Sequence, residues 1–440
     1  MANDFTRRNF FAMAGGAALL TPLARLLAAE APVPVESDGT TQTFAPKSEP
    51  ITYRPVVTPN NETLPWKLVD GVKVFHLVPE PVTHAFAPGL VTECWGYNQR
   101  VHGPTIEAVE GDRVRFYVTN RLPSPTTVHW HGLKVPNGMD GVGGLSQRTI
   151  QPGETFKYEF TLPEPGTFMY HPHHDEMTQM QLGMMGLFIV HPREAERTPP
   201  DRDYALLLSE WRIDVGARRP NPSEMTDFNV FSFNGRSYPG TQPLVAQVGD
   251  RVRIRLGNLS TMSHHSIHLH GNRFQIIATG GGSIEPSAQW PESTVFVPTG
   301  TTRTVEFVAK TPGDWVMHCH MLHHSMTQMG HASGSVVGIN AAGLNREIGK
   351  VVPGYMTMGT TGMEDMSGMP MPVPKNSLPM GAAPGPFGDI GMGGMFTIVK
   401  VREKLEEGGD PGWYVNPRGT QADLAAPEDM KRDGIDPASV

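Results

Sequence analysis

Cysteine is nearly absent: the 440 residues hold two, Cys94 and Cys319. That excludes a disulfide framework and leaves room for at most one bridge. Such a bridge would consume the Cys319 thiolate, and Cys94, beside Trp95, reads as a buried free thiol. Charge is also sparse, at 18% of residues, with a net of -8. No basic excess is present to hold nucleic acid. Sustained helical periodicity is missing, which excludes bundles and coiled coils. The single long apolar run, 10–24, is broken by Gly15, Gly16 and Pro22 and closed by Arg25, so it does not read as a permanent membrane span.

What the chain has instead is Gly 48, Pro 41 and Met 24. Short β-branched and aromatic runs alternate with Gly/Pro turns, as in Val114-Arg115-Phe116-Tyr117-Val118 and Val252-Arg253-Ile254-Arg255-Leu256. This pattern predicts an all-β protein. The N-terminus reads as an address: Thr6-Arg7-Arg8-Asn9-Phe10-Phe11 resembles a twin-arginine export signal, and Ala29-Glu30-Ala31 fits a small-x-small cleavage site. The expected divisions are a signal peptide (1–31), a linker and N-terminal arm (32–66), a first domain (67–196), a second domain (197–345) and a Met/Gly/Pro-rich tail (346–440). Within the tail, Phe396 to Val401 has the texture of one more strand.

The two domains repeat each other in order. Gly111-Asp112-Arg113-Val114-Arg115 matches Gly249-Asp250-Arg251-Val252-Arg253, and His129-Trp130-His131-Gly132 matches His268-Leu269-His270-Gly271. The run from Pro165 to His173 matches that from Pro312 to His320. The reading is a duplicated β-sandwich.

Four His-x-His pairs sit at equivalent places in the repeats: His129/His131, His171/His173, His268/His270 and His318/His320. On a strand, residues two apart share a face, so each pair presents two imidazoles together. Cys319 lies between His318 and His320 and points the other way. His324 follows five residues after Cys319 and Met329 ten after, within reach of a loop that folds back. Thiolate, imidazole and a weak thioether form a blue-copper ligand set that still lacks one His.

HWHG, HPH, HSIHLHG and HCHMLHHSMTQM resemble the four copper-ligand motifs of multicopper oxidases, over about residues 70 to 345. The resemblance implies two tandem cupredoxin-like Greek-key β-sandwiches. It implies four copper ions per chain and four-electron reduction of dioxygen to water. Carried over by position, a type 1 copper takes His265, Cys319, His324 and axial Met329; a type 2 copper takes His129 and His268. A type 3 pair takes His131, His171 and His320 on one ion and His173, His270 and His318 on the other. Asp140 matches the family's proton-relay acid near the type 2 copper; the alternative is an Asp-Gly turn residue. Ser325 stands where some members carry a second relay carboxylate, for which Asp175 or Glu176 could substitute. His174, His264, His323 and His331 neighbour these positions and read as support or surface residues.

Two repeats instead of three resemble the two-domain, laccase-like branch. That implies a cluster built between domain one of one chain and domain two of the next, hence a homotrimer. The implied partners are dioxygen and a small reductant, either a phenol or aromatic amine or Cu(I), the last suggested by the methionines. The implied location is periplasmic or extracytoplasmic. Alternatives are an exported copper-binding or copper-resistance protein without turnover, a relative that keeps the fold without copper, and a copper nitrite reductase. The last would need a Cys where Pro172 stands.

Overall fold

The computed structural model describes residues 53–328, 336–353, 355–357, 359–362, 374–378, 383–406 and 409–438, all within one compact unit, Pro46–Val440. The export signal, residues 32–52 of the linker, Met329, His331 and six of the tail methionines (Met358, Met363, Met366, Met369, Met371 and Met380) lie outside the described residues.

The first sandwich closes one four-stranded sheet on another. One sheet runs in the order Trp66–Val69, Val72–Leu77, Arg113–Thr119, Thr155–Thr161; the other runs Ile106–Val109, Gly186–His191, Gly166–His171, His129–His131. Alternation decides which faces meet. In Arg113–Thr119, Val114, Phe116 and Val118 are fully buried while Arg113 and Tyr117 are exposed. The buried face is aromatic: Phe116 stacks on Phe75 at 4.8 Å and meets Trp130 at 4.4 Å between ring centroids. Burying each such side chain is worth about 1.5–3 kcal/mol.

The second sandwich repeats the plan with a larger outer sheet built around Arg202–Trp211, Arg251–Asn258 and Thr301–Val308. Its inner sheet runs Leu244–Gln247, Phe396–Arg402, Gly313–Cys319, His265–Leu269, Thr294–Val297. The repeat holds at the level of pairing. Gly186–His191 lies parallel to Ile106–Val109 and antiparallel to Gly166–His171. Phe396–Arg402 lies in the same way against Leu244–Gln247 and Gly313–Cys319.

That equivalence moves a boundary. The sequence reading ended the second domain at 345, but an interior strand of its inner sheet comes from 396–402. In the first sandwich the matching strand begins at Gly186, soon after His171; in the second it waits from Cys319 to Phe396. The Met-rich stretch is therefore an insertion between the last two strands of a domain, and the C-terminal tail begins after Arg402. Residues 53–65 also do more than link, since Val56 and Leu64 are buried.

A third core joins the domains. The hairpin Pro79–Ala87/Leu90–Tyr97 supplies Phe86, Leu90 and Cys94, which pack with Leu207, Trp211, Val230 and Leu259 of the second domain and with Leu378 of the insertion. Cys94 and Cys319 are both buried free thiols.

Candidate metal centres

Strand register builds the histidine groups. His129 lies directly opposite His171, and His268 directly opposite His318. Opposed residues on antiparallel strands sit about 4.5–5.5 Å apart, so each pairing brings two His-x-His motifs into one patch. In the first sandwich the rings of His129, His131, His171 and His173 have centroid separations of 5.3 to 6.4 Å. In the second, His268, His270, His318 and His320 form the same quartet, at 4.8 to 5.8 Å.

Hydrogen bonds fix which ring nitrogen is free. A carbonyl only accepts, so the nitrogen facing it carries the proton and the other keeps its lone pair. His129 Nδ1 donates to Asp140 O at 2.8 Å, His171 Nδ1 to Pro172 O at 2.9 Å, His268 Nδ1 to Ser293 O at 2.7 Å, and His318 Nδ1 to Cys319 O at 2.9 Å. Each leaves Nε2 as a ligand atom. His131 is reversed: Nε2 donates to Gly300 O at 2.8 Å, and Nδ1 faces His171 Nε2 at 3.2 Å. His270 Nε2 and His318 Nε2 face each other at 3.3 Å. Between His131 and His171 two lone pairs thus face each other with no proton between them, a poor arrangement unless a cation sits there.

Burial keeps four of these rings neutral. Desolvation lowers His171 to about 3 and His318 to about 4, and it also lowers His131 and His270. Protons therefore do not compete for the ligand atoms of His131, His171, His270 and His318 near neutrality.

A second centre lies inside the second sandwich. Cys319 Sγ is 3.6 Å from His265 Nδ1 and 3.5 Å from His324 Nδ1, and those nitrogens are 3.1 Å apart. All three residues are buried. Ser260 Oγ holds His265 Nε2 at 2.7 Å, and Phe231 stacks on His324 at 4.0 Å. Burial lowers His265 well below its ordinary value and His324 to about 4, and raises the Cys319 thiol to about 11. A bound cation must displace that thiol proton. Pro172 occupies the equivalent place in the first sandwich, so that domain has no such thiolate.

The insertion braces this centre. Cys319 N–H donates to Met395 O at 3.0 Å and Met395 N–H to His324 O at 2.9 Å, so one residue bridges two of the three groups. Gly393 N–H donates to Ser325 O, Gly394 N–H to Thr327 Oγ1, and Leu378 N–H to Gln328 Oε1. The supporting contacts from Phe231, Gly300, Ser293 and Met395 come from distant chain segments, and no local pattern announces them; Ser260 lies only five residues before His265.

Two carboxylates approach the first quartet. Asp140 Oδ1 is 3.4 Å from His129 Nδ1. Of the two substitutes named for the second acid, Glu176 is the one beside the rings, 3.3 Å from His171 Nδ1 and 4.0 Å from His173 Nε2. Asp175 takes the left-handed position that starts the Glu176–Gln181 helix. Among the leftover histidines, His264 accepts from Thr299 N–H, while His84, His102 and His191 are buried in hydrogen bonds elsewhere.

A duplicated sandwich with a buried Cys/His/His triad and two His quartets defines a copper-binding oxidase architecture. Multicopper oxidase family models match residues 80–195 and 214–333, together more than half the chain, which belongs to the multicopper oxidase family. Copper resistance protein A of Escherichia coli is 26% identical over 325 residues, covering 62% of this chain and 52% of that protein. The chain spans about half or less of the length of the curated relatives it matches. Among solved structures, the multicopper oxidase mgLAC aligns with a TM-score of 0.56 at 25% identity, covering 79% of this chain and 91% of that one. A blue copper oxidase from Nitrosomonas europaea aligns with a TM-score of 0.56 at 24% identity over 74% and 85%, a likeness of fold.

Proposed function

We propose that the chain is an exported, laccase-like oxidase that couples one-electron oxidation of a small reductant to reduction of dioxygen to water. The observation that carries this is the link between the centres. Cys319 faces the buried triad, its neighbours His318 and His320 face the outer quartet, and the Cys319 carbonyl accepts from the His318 ring. Copper in these places would supply one-electron storage and dioxygen reduction.

His265, Cys319, His324 and Met329 would hold the type 1 ion, and His129 and His268 the type 2 ion. The close approach of His131 to His171 and of His270 to His318 supports a type 3 pair held by His131, His171 and His320 on one ion and His173, His270 and His318 on the other. That makes four ions per chain. Asp140 and Glu176 would carry protons to the reacting oxygen, each within 3.4 Å of a quartet ring.

The quartets do not meet within one chain. Among the described residues no ring of one contacts a ring of the other, and His270 and His320 are exposed. A quartet alone cannot fill the eight-histidine set, so a second copy completes it. We therefore assign a homotrimer with a cluster at each interface. Light scattering finding monomers with full oxygen uptake would overturn that assignment.

The reductant is a phenol, an aromatic amine or Cu(I). Export follows from Arg7-Arg8 and the apolar run behind them. No helix among the described residues is long and apolar enough to cross a membrane. The deciding experiment is oxygen consumption by copper-loaded protein with Cu(I) and with a phenol in parallel. Uptake with at least one is expected, together with an intense blue thiolate band, and Cys319→Ser should abolish both. Copper binding without uptake would leave a sequestration protein; nitrite turnover without uptake would leave a nitrite reductase.

A further inference from the structure

The turn 298–300 of the second sandwich touches both kinds of centre within one chain. Gly300 O accepts at 2.8 Å from Nε2 of His131, a ring of the first sandwich. Thr299 Oγ1 donates to Ser260 O, and Thr299 N–H donates to His264 Nδ1 at 3.0 Å. Ser260 Oγ in turn meets His265 Nε2 at 2.7 Å. At both ends the Nε2 side is anchored and Nδ1 is left as the ligand atom. His131 Nδ1 faces His171 Nε2, and His265 Nδ1 faces Cys319 Sγ and His324 Nδ1.

The first sandwich supplies the comparison. In each copy a fully buried asparagine ties a strand end to the loop that follows it. Asn120 Nδ2 donates to Ser124 O and Ile150 O, its Oδ1 accepts from Leu122 N–H, and its carbonyl accepts from Gly153 N–H. Asn258 makes the same four bonds with Ser263 O, Val297 O, Ser260 N–H and Gly300 N–H. Leu122 therefore corresponds to Ser260, Gly153 to Gly300 and Pro152 to Thr299.

The asparagine clamp is common to both copies and belongs to the fold. The groups that tie the turn to His265 belong to the second copy. Leu122 has no hydroxyl and packs into the first core. Pro152 has neither a hydroxyl nor an N–H. The copies thus differ at the two residues that make the link, and the copy that has them is the one with the buried thiol.

We propose that Thr299 and Ser260 are positioning residues that, through Gly300, seat His131 of the first quartet and His265 of the buried triad on one hydrogen-bonded turn. This rests on the copper and trimer assignments above. On those assignments the two quartets of a chain serve different clusters, so the turn reaches the cluster that Cys319 does not face.

The test compares the full chain with Thr299→Val, Thr299→Ser and Ser260→Ala. The readouts are copper retention, absorption, and proton–nitrogen spectra of copper-free protein with labelled histidine. Thr299→Val removes the hydroxyl and keeps the shape of the side chain. It should shift the blue band and hold outer-centre copper about tenfold more weakly, as when a ligand loses its supporting partner. Without copper, it should broaden the His131 Nε2 proton signal through faster exchange with water. Thr299→Ser keeps the hydroxyl and should restore all three. Ser260→Ala should shift the blue band and leave the His131 signal in place, because its carbonyl still accepts from Thr299. A valine variant in which either centre is unchanged, or a serine variant as impaired as the valine one, overturns the link and leaves the copper centres standing. A full chain that takes up no copper overturns the copper assignments and the positioning role with them.

Discussion

Gly394 shows how much of the inner centre rests on backbone. Its φ is +62, and a Cβ there would lie 2.4 Å from His324 O and 2.7 Å from Met326 O. Both obstacles are main chain, so neither can swing aside. Gly394→Ala should cost at least about 1–2 kcal/mol from the left-handed conformation alone, read as a lower denaturation midpoint, and should displace His324 enough to shift the blue band. An unchanged band would mean that the loop is held by other contacts. Glu176 tests the outer centre. If it passes protons beside His171 and His173, Glu176→Gln should slow oxygen reduction by about a hundredfold, at the lower end of general acid–base effects. Bleaching of the blue band by substrate without oxygen should keep its rate, and equal slowing of both would count against a proton role. Residue types and their spacing were readable in the sequence because a period of two is local: it put His318 and His320 on one side and Cys319 on the other. Two of the acceptors that set the tautomers were not readable, since Gly300 O and Ser293 O reach their histidines from turns between other strands.

At the scale of elements, Phe396–Arg402 carries the lesson. Its β-branched texture was legible; its place was not. Strand pairing at long separation leaves no periodic trace, and the same residues would suit an edge strand or a neighbour's sheet. Only the register between Leu244–Gln247 and Gly313–Cys319 makes it the counterpart of Gly186–His191. The Met-rich stretch thus becomes an insertion in sequence between the inner centre and an interior strand of the same sheet. Removing all of 356–395 would take away Met395, whose main chain bridges Cys319 and His324, and Leu378, which is buried between the domains. A cleaner excision replaces 363–373 with a short Gly/Ser linker and spares both. If those methionines collect Cu(I), thioether being a soft ligand, Cu(I) oxidation should fall several-fold while phenol oxidation holds. Equal losses would assign the stretch no part in choosing the reductant.

At the scale of the whole molecule, the core between the sandwiches makes them unfold together, and two histidines there make the transition depend on pH. His84 Nε2 donates to Gly235 O at 2.6 Å across the domain boundary. His102 Nε2 meets Ser209 Oγ at 2.8 Å, with its ring stacked near Trp211. Burial lowers His84 from 6.5 to about 4 and His102 to about 3. The backbone acceptor partly offsets burial at His84, and Arg236 adds to it. In the unfolded chain both rings take up protons below about 6.5; in the folded chain they resist. The unfolded state therefore binds more protons across that window, so stability is complete above 6.5 and drains away as pH falls toward 4. His84 alone accounts for roughly 3 kcal/mol at the low end, at 1.36 kcal/mol per unit. The buried ligand histidines add to the loss in copper-free protein, so the discriminating comparison is His84→Gln, whose amide can still donate to Gly235 O but cannot titrate. Denaturant midpoints of copper-free chain and variant at pH 7, 5.5 and 4.5 should converge as pH falls, the variant losing less. Parallel curves would show that His84 does not reach its charged form on unfolding, and a wild-type midpoint unmoved from pH 7 to 4.5 would remove the buried imidazoles from the stability of the interdomain core.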